Sequence, residues 1–495
     1  MASRVMGFVR DILIAAYLGA GPVAEAFVVA FSLPTMFRRM FAEGAFNMAF
    51  IPMFSKKLER DDKPLEFARD AFSGLASILI VFTLTAQVFM PWFVWAMASG
   101  FVGDVRFDLA VNFGRITFPY ILFISLTALL SGVLNATRRF AAAAAAPVLL
   151  NIVMAAMMIG AASMGLDVGR ALVWAVPIGG LAQLALVWRA SASAGFILIP
   201  RWPRMTPELK RLAIIAAPAA LAGGVVQVNL LVGRQVASFF EGSIQYLNLA
   251  DRLYQLPLGV VAIAIGVVLL PELSRRLQAG DARSGREAMN RAAEFALLLT
   301  LPAAVALIVI PDPLVSVLYQ RGRFTADDAA ATALVVAIYG FGLPSFVMQK
   351  VLQPLYFARE DTRTPFRYAL VAMVINAVIA IGLAPFIGYL ASAIATTIAG
   401  WGMVFLLWRG SRAMGGTAHF DNRFISRAAR IALASLGMGF VLALVAHVLE
   451  PVFDMSGWRY LGLLFLVATG MVSYFALSHL IGAFRLSEIR RAMRR

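Results

Sequence analysis

The chain has no cysteine in its 495 residues. Disulfides, thiolate zinc sites and cysteine nucleophiles are therefore excluded. Histidine is scarce as well. His419, His447 and His479 are the only three, spread over the C-terminal end, so a histidine metal cluster is not expected. No metal and no cofactor is expected at all. Charge is also sparse, at 14% of residues against about 25% in soluble domains. The common catalytic signatures are missing: there is no His-Glu-x-x-His, no Gly-x-Ser-x-Gly and no Walker loop. Metalloprotease, serine-hydrolase and ATP-driven readings lose their motifs with them. The acidic pairs Asp61-Asp62 and Asp327-Asp328 stand in short loops beside basic residues and read as solvated charge.

Apolar residues are what the chain has in excess, at 61%. A bilayer-spanning helix needs about 20 of them. The expected fold is all-α and polytopic. Spans are expected at roughly 2–19, 22–54, 71–98, 109–136, 143–165, 168–190, 212–240, 244–272, 289–310, 330–355, 365–385, 387–408, 426–449 and 457–483. The net charge of +16 would suggest a nucleic-acid partner in a soluble protein. In a membrane protein it marks cytoplasmic loops instead, and no nucleic-acid partner is expected. Of the 43 Lys and Arg, 30 fall on one side of these spans. Five fall on the other: Arg106, Arg170, Arg321, Arg323 and Arg459. The basic side is cytoplasmic, and an even number of spans puts both termini there. No signal peptide is read. Val5–Leu18 carries Arg10 and Asp11, and nothing apolar precedes it. Either the first helix begins at the surface or the true start lies upstream of Met1.

Three matches run through the chain in the same order. Ile-Pro-Met-Phe-Ser-Lys-Lys at 51–57 returns as Leu-Pro-Glu-Leu-Ser-Arg-Arg at 270–276. Pro119 to Thr137-Arg138 returns as Pro344 to Thr362-Arg363, and Gly180 to Trp188-Arg189 as Gly400 to Trp408-Arg409. Two six-span copies are expected, at 1–205 and 206–410, with a helix pair and basic tail at 411–495. An even number of spans per copy makes the repeats parallel, an arrangement that transporters use.

Charges inside the spans are concentrated. Arg4, Arg10 and Asp11 lie on span 1, and Glu25, Arg38, Arg39 and Glu43 on span 2. Arg234 lies on span 7, Asp251 and Arg252 on span 8, and Lys350 on span 10. A charge at mid-membrane costs about 2.5–3.5 kcal/mol on insertion scales and is kept for function. Arg4 and Asp11 are two helical turns apart on one face, and Arg39 can pair with Glu43 four residues on. Pro34 sits one turn before the arginines and kinks the span. Cations outnumber anions in this set, so an anionic ligand is expected. Guanidinium suits diphosphate, because its planar fork bonds two oxygens at once and never loses its proton. Arg115 reads as a residue that reaches back to the interface.

These residues carry a resemblance. Ser3-Arg4-Val5-Met6-Gly7-Phe8-Val9-Arg10-Asp11, Gly19-Ala20-Gly21-Pro22, Ala26–Phe31, Leu33-Pro34 and Arg38-Arg39 resemble the MurJ (MviN) lipid II flippases. So do Phe41-Ala42-Glu43-Gly44-Ala45-Phe46 and Ala250-Asp251-Arg252-Leu253 through Pro257 and Gly259. The resemblance covers essentially the whole chain. It implies the fold of the multidrug/oligosaccharidyl-lipid/polysaccharide (MOP) exporter superfamily, with two pseudo-symmetric six-helix lobes and two C-terminal helices that hold the polyprenyl tail. It implies a transporter rather than an enzyme, in the bacterial cytoplasmic (inner) membrane. Its implied work is to move lipid II from the inner to the outer leaflet by alternating access. Substrate binding is implied for Arg4, Arg10, Asp11, Arg38 and Arg252. Glu25, Arg39, Glu43, Asp251 and Lys350 are candidate gate or cavity residues. The expected partners are lipid II, membrane lipids and the cell-wall synthesis machinery, with the chain a monomer. Glu25 departs from the family, where Asp is usual. Arg234 and Asn376 stand where a sodium site would place acidic residues, so sodium coupling is not expected. Two alternatives share the fold: a flippase for another polyprenyl-diphosphate-linked polysaccharide, and a multidrug exporter. The second would place carboxylates at the cavity centre, the reverse of this sequence. A membrane-embedded glycosyltransferase would need a catalytic carboxylate in a large loop, and these loops are short.

Overall fold

Side chains that can cap a helix mark where the helices begin. Asp104, Asp167, Thr206, Asp281, Thr325 and Asp421 each accept a hydrogen bond from a backbone N–H in the first turn that follows. Such caps satisfy donors that the helix itself cannot. The computed structural model describes residues 2–39, 47–279, 281–415, 418–455 and 457–483. Among them are seventeen α-helices and no strand. In order they are α1 Ala2–Leu18, α2 Pro22–Arg38, α3 Asn47–Glu59, α4 Pro64–Met97, α5 Val105–Thr117 and α6 Tyr120–Ala136. Then come α7 Ala141–Ser163, α8 Val168–Ser193, α9 Pro207–Ala237, α10 Ser243–Gln278, α11 Ala282–Val309 and α12 Pro311–Tyr319. The last five are α13 Ala326–Phe357, α14 Arg363–Ile387, α15 Leu390–Ser411, α16 Asn422–Phe453 and α17 Trp458–Leu480.

Ten segments among the described residues are long and apolar enough to cross a membrane. The chain is a multi-pass membrane protein. Outward-facing apolar residues agree: Val371, Val374, Val378 and Ile381 form an exposed stripe on α14, and Ile80, Leu84, Val88 and Trp92 another on α4.

The span expected at 109–136 is present as one membrane-long segment, Val105–Ala136, built from α5 and α6 with a break at Phe118-Pro119. Other expectations need correction. The short α12 was not expected. Arg283, Arg286 and Arg423, which lie between the expected spans, are on helices, the first two on α11 and the third on α16. The reason is local. Asp281 and Asp421 start these helices at the cap, before the apolar stretch begins. The span expected at 22–54 is described as α2 and α3. Glu43 falls between them, outside the described residues.

The chain divides into two compact units. One is Met1–Gln245 with Arg321–Phe324, and the other is Tyr246–Gln320 with Thr325–Arg495. Helix α9, expected to open the second copy, packs in the first unit against α3 and α4. The tetrapeptide Arg321–Phe324 joins the first unit backbone to backbone. The Arg323 N–H donates to the Ala16 carbonyl at 2.9 Å. Both approaching chains use glycine at positive φ, Gly19 at +66° and Gly322 at +58°. A Cβ on Gly322 would lie 2.1 Å from the Ala16 oxygen, and one on Gly19 would lie 2.6 Å from the Arg323 oxygen. Only glycine fits either place.

Each unit repeats the same packing. In the first, α7 lies on α8 and α8 on α6; in the second, α14 lies on α15 and α15 on α13. Gly180 brings α8 against Tyr120, with 2.6 Å between its ideal Cβ and the ring. Gly400 brings α15 against Ser345 at the same 2.6 Å. Tyr120 and Ser345 are the residues after Pro119 and Pro344, so these contacts link two of the sequence matches.

A proline inside a helix removes an N–H and frees the carbonyl four residues back, and at three of these prolines a side chain of a neighbouring helix satisfies it. Pro34 frees Ala30, whose carbonyl accepts from the Thr117 hydroxyl of α5 at 3.2 Å. Pro91 frees Gln87, which accepts from Arg115 Nε of α5 at 3.3 Å. Pro302 frees Leu298, which accepts from the Tyr474 hydroxyl of α17 at 2.6 Å. Helices that proline weakens are thereby sewn to their neighbours.

Candidate functional site

In the first unit the charged centre is built by α1, α2 and α7. Arg10 and Asp11 face inward from α1, with 7% and 2% of their surfaces exposed. Nε and Nη2 of Arg10 both donate to Oδ1 of Asp11, at 3.0 and 2.7 Å. Nη1 donates to Oδ1 of Asn151 on α7 at 3.0 Å. The Arg10 guanidinium carbon lies 5.8 Å from the centre of the Phe31 ring on α2. Burying two charges is expensive and is tolerated only with partners of good geometry. Here the partners are a carboxylate, an amide and an aromatic face.

Several other span-borne charges are less buried. Arg38 ends α2 and is half-buried; Arg39 follows it and is exposed. Arg4 is exposed near the start of α1, and Arg234 is half-buried in the last turn of α9. Arg115 is exposed, and its reach to the Gln87 carbonyl is returned by Gln87 Nε2, which donates to the Arg115 carbonyl at 2.9 Å.

A second charged cluster lies at the start of α2. Glu25 is fully buried. Its carboxylate accepts from Nη1 of Arg106 on α5 at 3.0 Å and from the backbone N–H of Ile244 at 3.0 Å. Arg106 also donates through Nε to Asp104, and it lies 4.5 Å over the Phe101 ring. Burial pulls the Asp104 carboxyl up, but hydrogen bonds and charge from Arg106 outweigh it and hold the group below its ordinary value.

In the second unit, Asp251 and Arg252 are half-buried on α10, and Gln255 one turn on donates to Asp251. Tyr254 packs against Tyr339 and Phe346 of α13, both ring centres at 5.5 Å. Lys350 lies on α13 and is exposed. Asn376 is buried on α14. The acidic pair Asp327-Asp328 has a structural role: Asp328 completes the capping box of α13 and accepts from the Tyr246 hydroxyl at 2.8 Å.

Sequence reasoning missed two participants. Asn151 is the one polar residue of α7 before its last, Ser163, and a lone amide in an alanine-rich span was the available signal. Arg106, assigned only to the less basic side of the spans, is buried. Nothing in its local sequence announced Glu25 as its partner.

Comparison with known proteins follows the same line. The family model described as lipid II flippase MurJ matches residues 14–467. A probable lipid II flippase MurJ of Rhizobium tropici is 42% identical over 507 aligned positions, covering 100% of this chain and 95% of the relative. A solved lipid II flippase MurJ in an inward closed conformation superposes with a TM-score of 0.79 at 26% identity, covering 97% of this chain and 96% of that one. An inward-facing multidrug resistance MATE transporter of the MOP superfamily gives a TM-score of 0.64 at 14% identity, over 83% of this chain and 94% of that one. The last likeness is one of fold alone.

Proposed function

The chain belongs to the lipid II flippase MurJ family, and from that membership we propose that it carries lipid II from the cytoplasmic to the outer leaflet by alternating access. Arg4, Arg10, Asp11, Arg38 and Arg252 take the head group. The arginines bind the diphosphate, and Asp11 keeps Arg10 in place. Arg39, Asp251 and Lys350 serve the cavity or its gates, and the same role is assigned to the buried Glu25 and to Glu43, which lies outside the described residues. The lobes are the two sequence copies, 1–205 and 206–410, with 411–495 guiding the polyprenyl tail. The chain works as a monomer with both termini in the cytoplasm, alongside the cell-wall synthesis machinery.

The observation that carries this reading is the buried Arg10 guanidinium fixed by Asp11 and Asn151. A charge held this deep in an apolar bundle is a binding group by default. Diphosphate is the chemistry a guanidinium fork matches best. The test is rescue of a flippase-depleted bacterium. Arg10→Ala, Arg38→Ala and Arg252→Ala should each abolish rescue while the protein still reaches the membrane. Arg10→Lys should rescue poorly, because an ammonium cannot make the two-point contact. Full rescue by the alanine variants would return these residues to a structural role.

A further inference from the structure

We propose that Asn151 is a positioning residue for head-group binding, acting through Arg10. The inference rests on the assignment of Arg10 to the diphosphate. A guanidinium carries five N–H donors. Arg10 spends three of them inside the protein: Nε–H and one Nη2–H on Asp11, and one Nη1–H on Asn151. One N–H remains on each terminal nitrogen, which is the pair a diphosphate oxygen pair needs. Asp11 fixes one edge of the guanidinium. Without a second anchor the group still turns about its last bonds, and Asn151 supplies that anchor from a different helix.

The amide cannot be reversed at no cost. Its Nδ2 donates to the Pro147 carbonyl at 3.0 Å and to the Ser3 carbonyl at 3.5 Å. Those two acceptors demand the nitrogen, so the oxygen must face Arg10. The Ser3 contact ties the same amide to the start of the helix that carries Arg10. Asn151 thus registers α1 on α7 and orients the cation together. It is buried, and in an apolar span a buried amide persists only with its partners satisfied.

The test is a double-mutant cycle on the purified full chain in detergent, with farnesyl diphosphate as the probe and titration calorimetry as the readout. Arg10→Ala should weaken binding about tenfold or more, the scale of a lost hydrogen bond to a charged group. Asn151→Ala should also weaken binding about tenfold, and the double variant should bind no worse than Arg10→Ala alone. Should Asn151→Ala fail to accumulate, Asn151→Ser takes its place: its short hydroxyl cannot reach Nη1, so the same loss and the same non-additivity are expected. Losses that multiply in the double variant would show Asn151 acting independently of Arg10 and overturn the inference. So would unchanged binding in Asn151→Ala beside a clear loss in Arg10→Ala, which leaves the assignment of Arg10 standing. Unchanged binding in Arg10→Ala would remove that assignment, and this inference with it.

Discussion

Tyr474 offers a clean test of how proline is accommodated in this bundle. Its hydroxyl donates at 2.6 Å to the Leu298 carbonyl, the group that Pro302 leaves without a helical N–H. Tyr474→Phe deletes the hydroxyl and keeps the shape. The Leu298 oxygen then loses its donor in a site where Tyr474 is only 3% exposed. Leaving a buried acceptor unsatisfied costs about 1–3 kcal/mol. At roughly 2–4 °C per kcal/mol for a large domain, the melting temperature should fall by about 2–12 °C. Pro302→Ala restores a backbone N–H at the position that bonds Leu298. In that background Tyr474→Phe should cost less than about 0.5 kcal/mol, because the carbonyl no longer needs the hydroxyl. Thermal unfolding of the four purified proteins in one detergent gives the coupling directly. An equal loss in both backgrounds would refute the argument and make Tyr474 a packing residue only. The same cycle with Thr117→Val and Pro34→Ala should show a smaller coupling. That bond is longer, at 3.2 Å, and the Thr117 hydroxyl is shared with the Gly114 carbonyl.

Other consequences are as open to measurement. Glu25→Ala leaves Arg106 buried with Asp104 alone and uncaps Ile244, so it should destabilise by about 3–5 kcal/mol; Glu25→Gln, which keeps the acceptor for Ile244, should lose less, and an alanine variant that melts with the parent would contradict the cluster. The Asp104 carboxyl is held low in the fold, so its contribution is complete above the ordinary value near pH 4 and is lost as pH falls through the lowered one. The stability gap between parent and Asp104→Asn should accordingly be flat from about pH 8 to 5 and close only in stronger acid; a gap that closes near neutrality would assign the effect to another group. A reporter fused to the C-terminus should be active only in the cytoplasm, and activity confined to the outside would sink the fourteen-span topology. Outward movement of an anionic head group and return of a cationic cavity are both favoured by a potential negative inside, at about 2.3 kcal/mol per charge per 100 mV. Collapsing the potential with a potassium ionophore at fixed sodium and pH should slow flipping, and an unaltered rate would reject potential as the driver.

Most of the architecture could be read from the chain because membrane helices announce themselves by length and apolarity. Two of the matched positions, Gly180 and Gly400, stand where one helix must approach another closely, and a packing need of that kind leaves a mark in sequence. Arg10 and Asp11 were equally visible, since charge in an apolar run stands out. Partners were not visible. Thr117 looks like any threonine in a helix, and nothing near it says that Pro34 has freed a carbonyl more than eighty residues away. The burial of Arg106 was not visible because topology sorts charges by distance from apolar runs and says nothing of a carboxylate partner such as Glu25. Helix ends on the basic side were set too short because hydropathy stops at the bilayer, and Asp281 and Asp421 cap their helices beyond it.

The four residues Arg321–Phe324 bear on how the two halves of this protein could ever be separated. A gene cut after Gln245 would yield a first product that lacks a piece of its own fold, and a second that carries the piece with no use for it. The Arg323–Ala16 bond and the facing glycines make that piece a fitted part rather than a passing loop. Split versions should assemble only when both halves are made together.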